Sequence, residues 1–76
     1  MNNERRKRLA AFSQQLSELK DDVQSVLDEE EEAFNNLPEG LQSGERGDGM
    51  QAAIASLDAA VCALEEAGEQ LEEART

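Results

Sequence analysis

Two apolar stripes, each with the spacing of a helix seam and parted by a break at Pro38, constrain this chain more than any other feature. Leu9, Phe12, Leu16, Leu19, Val23 and Val26 recur at alternating intervals of three and four, the repeat of a helix that packs along another helix. Met50, Ile54, Leu57, Val61, Leu64, Gly68 and Leu71 repeat the signal. Strands are excluded by that period, so the expected fold class is all-α. The spacing predicts a first helix over about residues 4–36, a Pro/Gly turn over 37–47, and a second helix over about 48–74, together a single helical-hairpin domain spanning 1–76. Continuing the first frame places Glu30 on the seam and leaves Leu27 and Phe34 one position off it.

Pro38 ends the first helix because it disfavours helical geometry at Leu37, and it can open a short helical turn of its own. Gly40, Gly44, Gly47 and Gly49 then follow within ten residues, which reads as a permissive connection. Ser43 and Asp48 compete as N-caps of the second helix, and Asp48 is the one favoured here. Arg46, the lone cation of the connection, is expected to pair with Glu45, Asp48 or the carboxylates of 28–32 and so to fix the turn.

A chain of 76 residues with 11 alanines and two aromatics has little bulk with which to close a core. Two antiparallel helices cannot enclose one between themselves, so the simplest closed arrangement is a homodimer forming a four-helix bundle. The second helix points the same way. Beside its seam Ala53, Ala60, Ala67 and Ala74 recur every seven residues, and on its far side Ala52, Ala55, Ala59 and Cys62 form another small-residue patch. A helix apolar on nearly all sides needs more than one neighbour. The expected dimer interface is therefore Ala52, Ala55, Ala59 and Cys62, together with Ile54, Leu57, Val61 and Leu64.

Charge narrows the functional classes. Eighteen acidic against seven basic residues give a net charge of -11, which repels phosphate backbones and makes direct nucleic-acid contact an unfavoured reading. Arg5, Arg6, Lys7 and Arg8 hold most of the positive charge and are expected to pair across the helices with Glu65, Glu66, Glu69, Glu72 and Glu73. The basic start runs into a segment too short and polar for a signal peptide, and no stretch is apolar enough to cross a bilayer. A single cysteine excludes an intrachain disulfide and suits a reducing cytoplasm. No membrane partner is expected.

The densest chemical feature is Asp28, Glu29, Glu30, Glu31 and Glu32. Most such runs are merely solvated; the functional reading is a contact surface for Lys and Arg on a partner. Histidine is absent, which removes the commonest metal ligand and the usual acid/base residue, and no metal or cofactor is expected. Cys62 lacks a basic neighbour in sequence that would lower its pKa, and reads as a small packed side chain. Nothing marks a catalytic pocket, so the chain reads as a non-enzyme.

The stretch Asp28-Glu29-Glu30-Glu31-Glu32-Ala33-Phe34-Asn35-Asn36-Leu37-Pro38-Glu39-Gly40-Leu41-Gln42, followed by Glu45-Arg46-Gly47, Met50 and Ile54-Ala55-Ser56-Leu57-Asp58, resembles small acidic uncharacterised helical-hairpin proteins of phages, prophages and Gram-positive bacteria. The likeness covers roughly the central half of the chain, and Phe-x-Asn-x-Pro-Glu and Glu-Arg-Gly are its specific parts. It implies a bacterial or phage-infected cytoplasm and a defined turn built on Phe34, Asn36, Pro38 and Arg46. No activity comes with it. The leading functional expectation is an acidic protein–protein interaction module whose Asp28–Glu32 run binds a basic, nucleic-acid-binding host protein, as a phage-type inhibitor or nucleic-acid mimic would. The alternatives are a homo-oligomeric scaffold or assembly protein and an accessory to phage recombination or replication.

Overall fold

The structure, a computed structural model, describes all residues from Met1 to Thr76. It is all-helical: α1 spans Asn3–Asn35, α2 Glu39–Gln42 and α3 Glu45–Ala74. Asn2 caps α1, its Oδ1 accepting from the Arg5 amide at 2.8 Å, which satisfies one of the free donors of the first turn. α1 ends where Pro38 requires. Asn36 keeps right-handed geometry and its amide still reaches the Glu32 carbonyl at 3.0 Å. Pro38 then opens α2, its carbonyl accepting from the Leu41 and Gln42 amides.

Contacts between α1 and α3 run in opposite chain order. The Arg6 Nε donates to the Arg75 carbonyl at 3.1 Å, and the Lys20 Nζ reaches the Glu65 Oε1 at 3.4 Å. Burial gives the register. On α1 the residues at a positions, Arg6, Ser13, Lys20, Leu27 and Phe34, and at d positions, Leu9, Leu16, Val23 and Glu30, are all buried or half-buried, as is Leu37 just beyond the helix. On α3 the same holds for Gly47, Ile54, Val61 and Gly68 at a and for Met50, Leu57, Leu64 and Leu71 at d, and for Arg75, the residue that caps its end. Leu27 and Val61 form the innermost pair of apolar residues, 3% and 7% exposed.

This register divides the first apolar stripe. Leu9, Leu16 and Val23 turn inward, but Phe12, Leu19 and Val26, expected on the seam, fall one position short of it at g and stay 43%, 49% and 50% exposed. The inner places are taken instead by Ser13, Lys20 and Leu27. The stripe is three positions wide, and one neighbouring helix covers only two of them.

α3 starts at Glu45, three residues before the expected position, with Gly44 as a cap that offers no side chain; the amide of Asp48 bonds to the Gly44 carbonyl at 2.9 Å. Gly47 belongs to that first turn and is buried. A Cβ there would lie 2.7 Å from the Gln42 Cα and nearer still to its carbonyl group. The glycine is required by the backbone of α2 crossing α3, rather than by a loose connection. The whole is a thin rod of 58 × 14 × 12 Å with a radius of gyration of 17.2 Å, against about 11 Å for a compact chain of this length. No helix is long and apolar enough to cross a membrane.

Candidate interaction surfaces

The closed end of the rod is held by a side chain that sequence reasoning passed over. The Gln42 Nε2 donates to the Phe34 carbonyl at 3.2 Å and to the Leu37 carbonyl at 3.0 Å, supplying donors to the C-terminal end of α1. Phe34 is half-buried, whereas Asn36 and Pro38 are exposed and act through their backbones. Arg46 is exposed and forms no salt bridge, contrary to its expected pairing with Glu45, Asp48 or residues 28–32. It lies at g on α3, on the rod's opposite edge from the Lys20–Glu65 pair. Fixing the turn falls to Gln42 and Gly47. The signal that marked Gln42 was present: a long amide side chain set four residues after the proline that ends a helix.

Asp28, Glu29, Glu31 and Glu32 are exposed, and Glu30 is half-buried on the seam. Successive residues on a helix are turned by about 100°, so the five carboxylates encircle α1 instead of forming one face. Asp28 accepts a hydrogen bond from the Gln24 Nε2 at 3.0 Å. No three carboxylate or thiol groups converge as a metal-ligand set.

A more concave acidic feature lies further along the rod. Gly68 stands at an a position of α3, level with Leu16 and one turn along from Ser13, and the missing side chain at Gly68 leaves open space. The resulting groove, about 480 Å³, is lined by Ser13, Lys20 and Gly68 with the carboxylates of Glu65, Glu69 and Glu72. The Ser13 Oγ is buried there with no hydrogen-bond partner. Lys20 pairs with Glu65, and Arg75 holds Glu72 at 2.6 Å, both between half-exposed side chains. Glu69 has no such pair. A glycine on the seam of α3 was the legible sign of this gap.

The basic cluster does not pair with that acidic end as expected. Arg6, the one member at an a position, donates to the Arg75 carbonyl and to the Asn3 Oδ1, while Arg5, Lys7 and Arg8 are exposed and form no salt bridge. Arg5 and Arg8 point to the g side of α1, whereas Glu65 and Glu72 sit at e of α3, across the rod.

The expected dimer interface separates into two groups. Ile54, Leu57, Val61 and Leu64 face α1 within the same chain. Ala52, Ala55, Ala59 and Cys62 are exposed on the back of α3. Cys62, expected to be packed, is uncovered because α1 reaches only the a/d side of its helix.

A scan against protein-family models finds no match, and searches of curated proteins and of solved structures return no similar chain.

Proposed function

We propose that the chain is a nonenzymatic acidic interaction module: a helical hairpin that dimerises into a four-helix bundle and binds a basic, nucleic-acid-binding protein in a bacterial or phage-infected cytoplasm. The observation that carries this reading is the groove of Glu65, Glu69 and Glu72, where three carboxylates stand along one concave strip, Lys20 and Arg75 pair with the outer two, and Glu69 is left without an ion pair. Such a strip suits Lys and Arg side chains that otherwise meet phosphates. The exposed acids of 28–32 extend the same negative surface around the closed end.

The test is capture of a partner from a bacterial host lysate, followed by titration across salt with wild type, with Glu65→Gln/Glu69→Gln/Glu72→Gln, and with Glu29→Lys/Glu31→Lys. Binding through the groove weakens steeply with salt and is lost mainly in the first variant. Affinity indifferent to salt and to both variants removes the charge argument. A second reading, a scaffold whose purpose is helix pairing itself, is favoured by the exposed Phe12, Leu19 and Val26; there the acids only keep the assembly dispersed, and neither charge variant alters its role.

A further inference from the structure

The dimer clause of that proposal leaves open which face is covered, and the register of α1 on α3 narrows it. In an antiparallel helix pair the g positions of both helices border the seam on one broad side, and the e positions border it on the other. The e side carries Glu65, Glu72 and the groove. The g side carries Phe12, Leu19 and Val26 from α1 and Ala53, Ala60 and Ala67 from α3. In a chain with 18 acidic residues, none falls at a g position of either helix, and none falls at the adjoining c positions of α3, which are Gly49, Ser56, Ala63 and Gln70.

We infer that this g side is the self-association surface, and that its occupant is a second copy of the chain related by a twofold axis along the rod. Such an axis lays α1 of each chain over the partner's α3 and preserves levels along the rod. Lys20 bonding to Glu65 in the middle of the rod sets the levels within one chain. On that scale Phe12, Leu19 and Val26 come level, within about one residue or ~1.5 Å of rise, with the partner's Ala74, the partner's Ala67 and the partner's Ala60. Each large side chain meets a small one, the alternation that lets packed layers interdigitate. A strip that is large along α1 and small along α3 is complementary to itself under this axis.

Area agrees with a second copy. The chain exposes 5470 Å², whereas a compact monomer of its 8.3 kDa exposes about 4,600 Å². The excess is close to the ~800 Å² per partner that a stable interface covers. The back of α3, with Ala52, Ala55, Ala59 and Cys62, stays in solvent.

Sedimentation of Leu19→Glu, Ala60→Glu and Ala59→Glu tests the assignment, with thiol labelling to cover the case that a separated chain unfolds. Leu19→Glu and Ala60→Glu are expected to weaken association by roughly 100-fold or more, since each dimer loses two buried contacts, and Ala59→Glu is expected to remain a dimer. In the intact wild type Cys62 reacts with a maleimide at the rate of an exposed thiol, while Leu19→Cys in a Cys62→Ser background is protected in proportion to dimer formed. Dimerisation unaffected by Leu19→Glu, dissociation by Ala59→Glu, or a protected Cys62 overturns the inference. Ready disulfide formation between two Leu19→Cys chains overturns the large-over-small register. These readouts need no partner protein, so their failure is separable from failure of the acidic groove to bind one.

Discussion

Replacing Gly47 by alanine tests the closed end of the rod at its tightest point. The added methyl would lie 2.7 Å from the Gln42 Cα, where carbon atoms normally rest about 3.5–4.0 Å apart. The obstacle is backbone, so α2 and α3 must separate by about 1 Å. That movement also draws the Gln42 amide away from the Phe34 and Leu37 carbonyls, now at 3.2 and 3.0 Å, towards the distance at which hydrogen bonds fail. Overpacking costs about 1–3 kcal/mol, and the two weakened bonds add about 0.5–1.5 kcal/mol each. Against this stands about 1 kcal/mol from replacing glycine within a helix. The net expectation is a loss of roughly 3 kcal/mol, a fall in Tm on the order of 15 °C for a domain of this size. Gly49→Ala is the matched control: the same substitution two residues on, exposed and with nothing within 4 Å of the new methyl, is expected to raise stability by about 0.4–1 kcal/mol. Thermal unfolding followed by circular dichroism at one fixed chain concentration reads both. Gly47→Ala as stable as Gly49→Ala would refute the close crossing.

Gln42→Ala should cost about 1–3 kcal/mol by leaving the Phe34 and Leu37 carbonyls without these donors, measured by urea unfolding. Ser13→Ala should instead stabilise by about 1 kcal/mol in the same assay, because the Oγ is buried without a partner. Asn2→Ala should cost about 1 kcal/mol through loss of the cap to Arg5, visible as lower helicity and a lower midpoint. Glu65→Gln should change stability by less than about 1 kcal/mol, since its bridge to Lys20 joins half-exposed side chains, and raised salt should leave that small difference smaller still.

The long helices were legible because the apolar spacing of three and four survives without knowledge of any partner. Every residue of the second stripe, from Met50 to Leu71, is buried or half-buried against α1. The first stripe was harder to assign. Leu9, Phe12, Leu16, Leu19, Val23 and Val26 fit one helical face, but a face serves two neighbours as readily as one, and periodicity does not say which edge α3 takes. Ser13 and Lys20 are polar and gave no hint that they, rather than Phe12 and Leu19, would stand inside. The start of α3 was misplaced for a related reason. Four glycines within ten residues favour a loop by local propensity, whereas Gly47 is helical and set by a tertiary approach that no local signal carries. At the candidate site, charge density drew attention to 28–32, yet charge density along a sequence is not concavity. The groove arises around Gly68, with Ser13 a turn away on α1, a nearness of small residues on two helices that becomes visible only once their register is known.

Sedimentation equilibrium of the wild-type chain at micromolar concentration tests most directly whether a rod with two fully apolar buried residues folds as one half of a larger bundle. The expected result is a helical species of twice 8.3 kDa whose thermal midpoint rises with concentration. A cooperatively folded species of 8.3 kDa, with a midpoint independent of concentration, would contradict it.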